Sequence, residues 1–196
     1  MIISHTHKFI FVKTFKTAGS SIEKYLYDYL NQDDVITGEE KENVPTQNTK
    51  AVRHRTASWI KKWYPNEWNT YYKFSVDRNP WDMAVSWFHW MKYADRIQDT
   101  NFDSWLRQAN YNNLKNWNRY TIDDEIVVDK VLQYELLHEQ IQDIPVPYNN
   151  ELLKIFLKSG HKPKEKNYRD FYTDETSKII EDNFQEVIKL FGYKFK

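Results

Sequence analysis

Phe9-Ile10-Phe11-Val12-Lys13-Thr14-Phe15-Lys16-Thr17-Ala18-Gly19-Ser20-Ser21-Ile22-Glu23 is the stretch whose reading decides the fold. Its opening apolar run has the length and character of a buried strand, placed here over residues 8–13. Small residues follow, Thr17-Ala18-Gly19-Ser20-Ser21, and the period then changes. Ile22, Tyr25, Leu26 and Tyr29 recur at the spacing of one helix face, which predicts a first helix over 18–30. A strand, a tight loop and a helix N-terminus in succession leave unpaired N–H groups at the positive end of a helix dipole. Phosphate and sulfate bind in such places. Lys16, at the lip of the loop, adds a full positive charge. The order is not that of a nucleotide-triphosphatase P-loop, because Lys16 precedes the one nearby glycine instead of following a pair of them.

A second junction of the same kind lies further on. Tyr72-Lys73-Phe74-Ser75-Val76 alternates like a strand, and Asp77-Arg78-Asn79-Pro80-Trp81-Asp82 follows it. Asn79 is a good N-cap, Pro80 a good first helical residue, and Trp81, Ala84, Val85 and Phe88 recur at helical spacing. Arg78 therefore stands just outside a second helix N-terminus. Ser86 is eight residues on, and eight steps of about 100° return to within about 80° of the start, so both side chains can face one pocket. Between the junctions, Arg53-His54-Arg55 precedes a short helix predicted over Ser58–Trp63. Flanking positive charge disfavours imidazolium, so His54 is expected to be neutral near pH 7 and able to accept a proton. An exposed basic cluster at a helix start is the plainer alternative.

Composition narrows the classes. Lys+Arg and Asp+Glu both number 28, which argues against a broad nucleic-acid surface. With no cysteine, disulfides and thiolate metal sites are excluded. His5 and His7 have no third ligand nearby, so no metal is expected. There is no signal-peptide pattern and no apolar run near the ~20 residues of a membrane span. The expectation is one soluble, cytoplasmic domain over 1–196, without membrane or nucleic-acid partners. Gly38–Lys50 reads as an exposed polar loop and His161–Arg169 as a basic one. In Asn101–Asp124, Trp105, Tyr111, Trp117 and Tyr120 stand among amides, a mixture that suits sugars; helices packing their tryptophans inward are the simpler reading. Val127–Glu135 reads as a later strand followed by a helix over 136–143. A last helix is capped by Thr173, carries Ile180, Phe184, Val187, Ile188 and Phe191 on one face, and ends before Gly192.

Lys16-Thr17-Ala18-Gly19-Ser20-Ser21-Ile22 resembles the 5′-phosphosulfate loop of sulfotransferases that use PAPS (3′-phosphoadenosine 5′-phosphosulfate). Arg78-Asn79-Pro80-Trp81-Asp82 with Ser86 resembles the 3′-phosphate site of the same family. The carbohydrate (Golgi-type) sulfotransferases and their bacterial and viral relatives are the nearest in pattern. The resemblance touches residues 9–23, 53–57, 72–90, 127–136 and 168–193, and is specific in the first and third of these. It implies an α/β, P-loop-like three-layer fold with a central parallel sheet flanked by helices. The implied reaction moves a sulfuryl group from PAPS to a hydroxyl acceptor by in-line displacement, leaves PAP and needs no metal; carbohydrate is the leading acceptor class. Lys16 and His54 are the implied catalytic residues. Lys16, Thr17, Ala18, Gly19, Ser20, Ser21, Ile22, Arg78, Ser86, Lys166 and Tyr168 are the implied cofactor contacts. Glu23, Asp77 and Glu135 are the next candidate bases. Three residues depart from the family pattern: Phe15 stands for a proline, Asp77 for a valine and Met83 for an arginine, and Asp77 is expected to compete for Arg78. A non-catalytic nucleotide- or glycan-binding module and a P-loop-like kinase are the rival readings. The kinase would need Mg²⁺ ligands and a lysine after the glycines, and the sequence offers neither.

Overall fold

A computed structural model describes residues 1–37, 54–98, 101–149 and 167–195. The loop expected at 38–50, Arg53 and most of the basic loop, Lys166 included, lie outside the described residues. The chain forms two compact units, Met1–Asp77 with Asn116–Leu157 and Arg78–Lys115 with Lys158–Lys196.

The first unit is built on a five-stranded sheet. Its strands are β1 (Ile2–Ser4), β2 (Phe9–Val12), β3 (Val35–Ile36) and β4 (Tyr72–Asp77); after a small ribbon of β5 (Thr121–Ile122) and β6 (Glu125–Ile126) comes β7 (Lys130–Gln133). The order is β3-β1-β2-β4-β7. β2 and β4 are parallel, with Phe9 opposite Tyr72, and β4 and β7 are parallel, with Phe74 opposite Lys130. β1, however, runs antiparallel to both β2 and β3, so the sheet is mixed and not wholly parallel as expected. Residues 5–8 alone join β1 to β2, and a link that short can only make a hairpin.

Period-two alternation in β2 explains the layers. Phe9 and Phe11 pack with Phe74, Val76 and the stripe Ile22, Tyr25, Leu26 of helix α1 (Gly19–Leu26). Ile10 and Val12 point the other way, to Ala57 and Ile60 of α2 (Ala57–Trp63) and Trp68 of α3 (Pro65–Thr70). Helices thus cover both faces. The first helix is shorter than the pattern suggests, because residues Tyr27–Tyr29 tighten into a 3₁₀ turn. The late strand also ends early, at Gln133, and Tyr134–Leu136 is a 3₁₀ turn.

In the second unit, α4 (Pro80–Tyr93) starts where the cap predicts, with Asn79 Oδ1 accepting from the amides of Trp81 (3.1 Å) and Asp82 (3.3 Å). Trp81, Ala84, Val85 and Phe88 are buried with Phe102, Trp105 and Leu106 of α5 (Phe102–Gln108) and Leu114 of α6 (Tyr111–Leu114). The expected last helix is two, Asp174–Asn183 and Gln185–Phe191. Phe184 breaks it by leaving helical φ/ψ (φ −125°) while its ring stays in the core. Thr173 caps the first of them and Gly192, at φ 67°, closes the second.

Candidate functional site

The loop after β2 is held open by an unusual backbone. Lys16 (φ 58°) and Ala18 (φ 60°) are both left-handed without being glycine. Each such residue costs on the order of 1 kcal/mol or more, and strain of that kind collects at functional sites. The loop is braced from below: the Thr14 hydroxyl donates to the Val76 carbonyl and lies 2.8 Å from Thr17 Oγ1. The amides of Ser21 and Ile22 turn back to the Ala18 carbonyl, at 2.8 and 3.0 Å. Those of Ala18, Gly19 and Ser20 donate to no acceptor among the described residues. A left-handed residue against a right-handed helical turn makes successive N–H groups converge, which is an anion-binding concavity. Of the predicted contact residues, Thr17 and Ile22 are buried and Ser20 is exposed.

Lys13 lies beneath this loop and was not singled out by the sequence pattern. It is 4 % exposed; its Nζ donates to Ser20 Oγ (3.1 Å) and forms a close ion pair with Glu23. Its stem covers Gly19, where an added Cβ would meet Lys13 Cγ at 2.8 Å. Gly19 is therefore required for room beside Lys13, with no demand on its φ. Glu23, a fallback base in the sequence, is committed to Lys13 and to the Met1 ammonium.

The structure brings His54 to the same loop. Its Nδ1 is 3.2 Å from the Lys13 carbonyl oxygen. A carbonyl only accepts, so Nδ1 carries the hydrogen and Nε2 keeps its lone pair. The imidazole packs on the Phe15 ring with centroids 4.1 Å apart. Arg119 donates to the His54 carbonyl (2.7 Å) and lays its guanidinium over the same Phe15 ring at 4.6 Å. Burial pushes the His54 pKa down to about 3; the Lys13 carbonyl opposes this, while the charges of Lys13, the N-terminus and Arg119 add to it. The imidazole is neutral, as the sequence predicts, but burial is the main cause and Arg55 is not among the causes. Arg55 instead stacks on Trp59 at 4.2 Å.

Asn116 clamps the loop from 101 residues further along the chain. Its Oδ1 accepts from the Phe15 amide (2.8 Å), and its Nδ2 donates to the Phe15 carbonyl (3.0 Å) and to Asp77 Oδ1 (3.2 Å). The Tyr120 hydroxyl donates to Asp77 Oδ2 at 2.6 Å. Asp77, buried at the end of β4, is thus a hub for the clamp. Glu135 is exposed in the turn after β7.

The second unit holds the other predicted contacts. Arg78 is buried, and its Nε and Nη2 donate to Asp82 Oδ2 at 3.0 and 2.6 Å. Ser86 is half-buried and its hydroxyl bonds to nothing among the described residues. Tyr168 comes to the residue after Arg78: its hydroxyl accepts from Asn79 Nδ2 at 3.4 Å. Met83, at the family's arginine, is buried in the core. Among the described residues no group of three or more His, Asp or Glu could hold a metal ion, and no helix is long and apolar enough to cross a membrane.

The structure thus brings a loop with open amides, a helix start and a neutral imidazole together after β2. The model of the sulfotransferase family matches residues 1–127, more than half of the chain, and the chain belongs to that family. It is a transferase of sulfuryl groups. The match spans the loop, His54, Arg78, Ser86 and the Asn116 clamp. No curated protein matches the chain.

Proposed function

We propose that the protein transfers the sulfuryl group of PAPS to a hydroxyl of a carbohydrate. The observation that carries this is the loop at 13–20: three open amides and Lys16 on a strained backbone, with His54 packed on the residue before Lys16. Such a donor set fits a phosphosulfate. PAPS supplies an activated sulfuryl group, whose bond to the phosphate oxygen breaks as a bond to the acceptor oxygen forms. The open amides of residues 18–20 and the Lys16 ammonium oppose the negative charge that grows on the leaving oxygen. Lys13, neutralised by Glu23, contributes by fixing Ser20 and the helix start. His54 Nε2 takes the acceptor's proton. A bound anion beside the imidazole favours its protonated form, raises its pKa and makes it a better base. Arg78, Ser86 and Tyr168 take the 3′-phosphate, with one edge of the Arg78 guanidinium held on Asp82. The carbohydrate acceptor follows from the resemblance to the Golgi-type enzymes.

Thermal denaturation with PAP, AMP and ATP–Mg²⁺ tests the cofactor. PAP at 100 times its Kd should stabilise the fold by about 2.7 kcal/mol, and AMP at the same concentration by much less. An equal shift with ATP–Mg²⁺ would favour the kinase reading instead.

A further inference from the structure

A second feature lies wholly within the second unit and plays no part in the transfer reading. A cleft of about 590 Å³ opens between the end of α4, α5 and α6. Its walls carry Trp87, Trp90 and Trp105, with the amides of Gln98, Gln108 and Asn113 among them. The Trp87 and Trp90 rings meet edge to face at 5.7 Å. Trp105 is only 9 % exposed, yet its indole N–H has no acceptor among the described residues. Arg96 is the charged side chain among the described lining residues, and its guanidinium is seated over the Trp90 ring at 4.7 Å.

The volume suits a small ligand. Gln98 Nε2 donates to Asp95 Oδ1 at 3.1 Å, but a purely apolar guest would leave the Gln108 and Asn113 amides and the Trp105 N–H without partners, which is costly in a desolvated site. A sugar ring meets both demands, since its C–H faces lie on aromatic rings and its hydroxyls pair with amides. Arg96, with no carboxylate beside it on the described walls, adds a preference for negative charge. We propose that this cleft binds an acidic sugar, a uronate or sulfated hexose unit of a glycan. The inference is separate from the sulfuryl-transfer reading, because none of the lining residues has a part in that reading and its test reads binding, not turnover.

The full chain is titrated with a tetrasaccharide alternating glucuronate and N-acetylglucosamine, with maltotetraose and AMP as comparators, while the indole N–H resonances of the 8 tryptophans are followed. The acidic sugar should saturate and move the signals of Trp87, Trp90 and Trp105. Maltotetraose should bind about tenfold more weakly, the worth of one charge-assisted hydrogen bond. Arg96→Gln, at an exposed position, should keep the wild-type melting temperature and bring the acidic sugar down to the neutral one's affinity. Trp90→Ala should weaken both sugars. The proposal is overturned if no sugar saturates, if AMP moves the same indoles as strongly, or if Arg96→Gln leaves the preference for the acidic sugar unchanged.

Discussion

Lys13 and Lys16 stand three residues apart and differ in their surroundings. Lys13 is buried against Glu23 and Gly19; Lys16 sits on a left-handed turn at the loop's lip. Gly19→Ala should push the Lys13 stem out of place and weaken its ion pair. The expected cost is about 1–3 kcal/mol, the range for overpacking, read from the urea midpoint. A fully stable Gly19→Ala would show that the Lys13 stem is not confined there. His54 makes a second residue-scale prediction. In the unfolded chain it titrates near 6.5, and in the folded one near 3. Between those values the unfolded state binds the extra proton, so stability should fall as pH drops from 6.5 toward 3 and should gain nothing from this residue above 6.5. His54→Gln should flatten that slope in urea melts taken at several pH values; an unchanged slope would contradict a buried neutral imidazole. The role of Lys16 could be read from its place before the small-residue turn. The roles of Lys13 and Asn116 could not. The Phe15–Asn116 pairing spans 101 residues, and neither residue carries a local pattern that points to the other.

At the scale of elements, both strand-to-helix junctions were legible because their signals are local. A change of hydrophobic period marks α1, and an Asn-Pro start marks α4. β1 carries no such signal because three residues show no periodicity, although its pairing with β2 turns a parallel sheet into a mixed one. The break at Phe184 is hidden for the opposite reason: the apolar stripe runs through it unbroken, and only its backbone, at φ −125°, leaves the helix while its ring stays in the core. The capped start of α4 carries its own prediction. Arg78→Ala and Ser86→Ala should each weaken PAP binding by roughly 1.5–3 kcal/mol, the worth of a charge-assisted hydrogen bond. Both contact a non-reacting phosphate in the proposed reading, so the rate at saturating PAPS should change less. Calorimetric titration of PAP into both variants decides this, and unchanged affinity in both would remove α4 from the cofactor site.

At the scale of the whole molecule, equal numbers of acidic and basic residues leave no general attraction for polyanions. In the proposed reading anion recognition then comes from local devices, the strained loop and the capped helix start. Family membership fixes the reaction as sulfuryl transfer, and the step that separates an enzyme from a binding module of the same fold is the transfer itself. The most direct measurement is single-turnover transfer of labelled sulfate from saturating PAPS to a panel of glycans, by the wild type, Lys16→Ala and His54→Ala. The wild type should label a sugar hydroxyl. Lys16→Ala should lose rate out of proportion to its loss of PAP affinity. His54→Ala should bind PAP like the wild type and transfer roughly 10²–10⁴-fold more slowly. A wild-type protein that binds PAP and labels no sugar, or a His54→Ala variant that transfers at the full rate, would contradict the assignment.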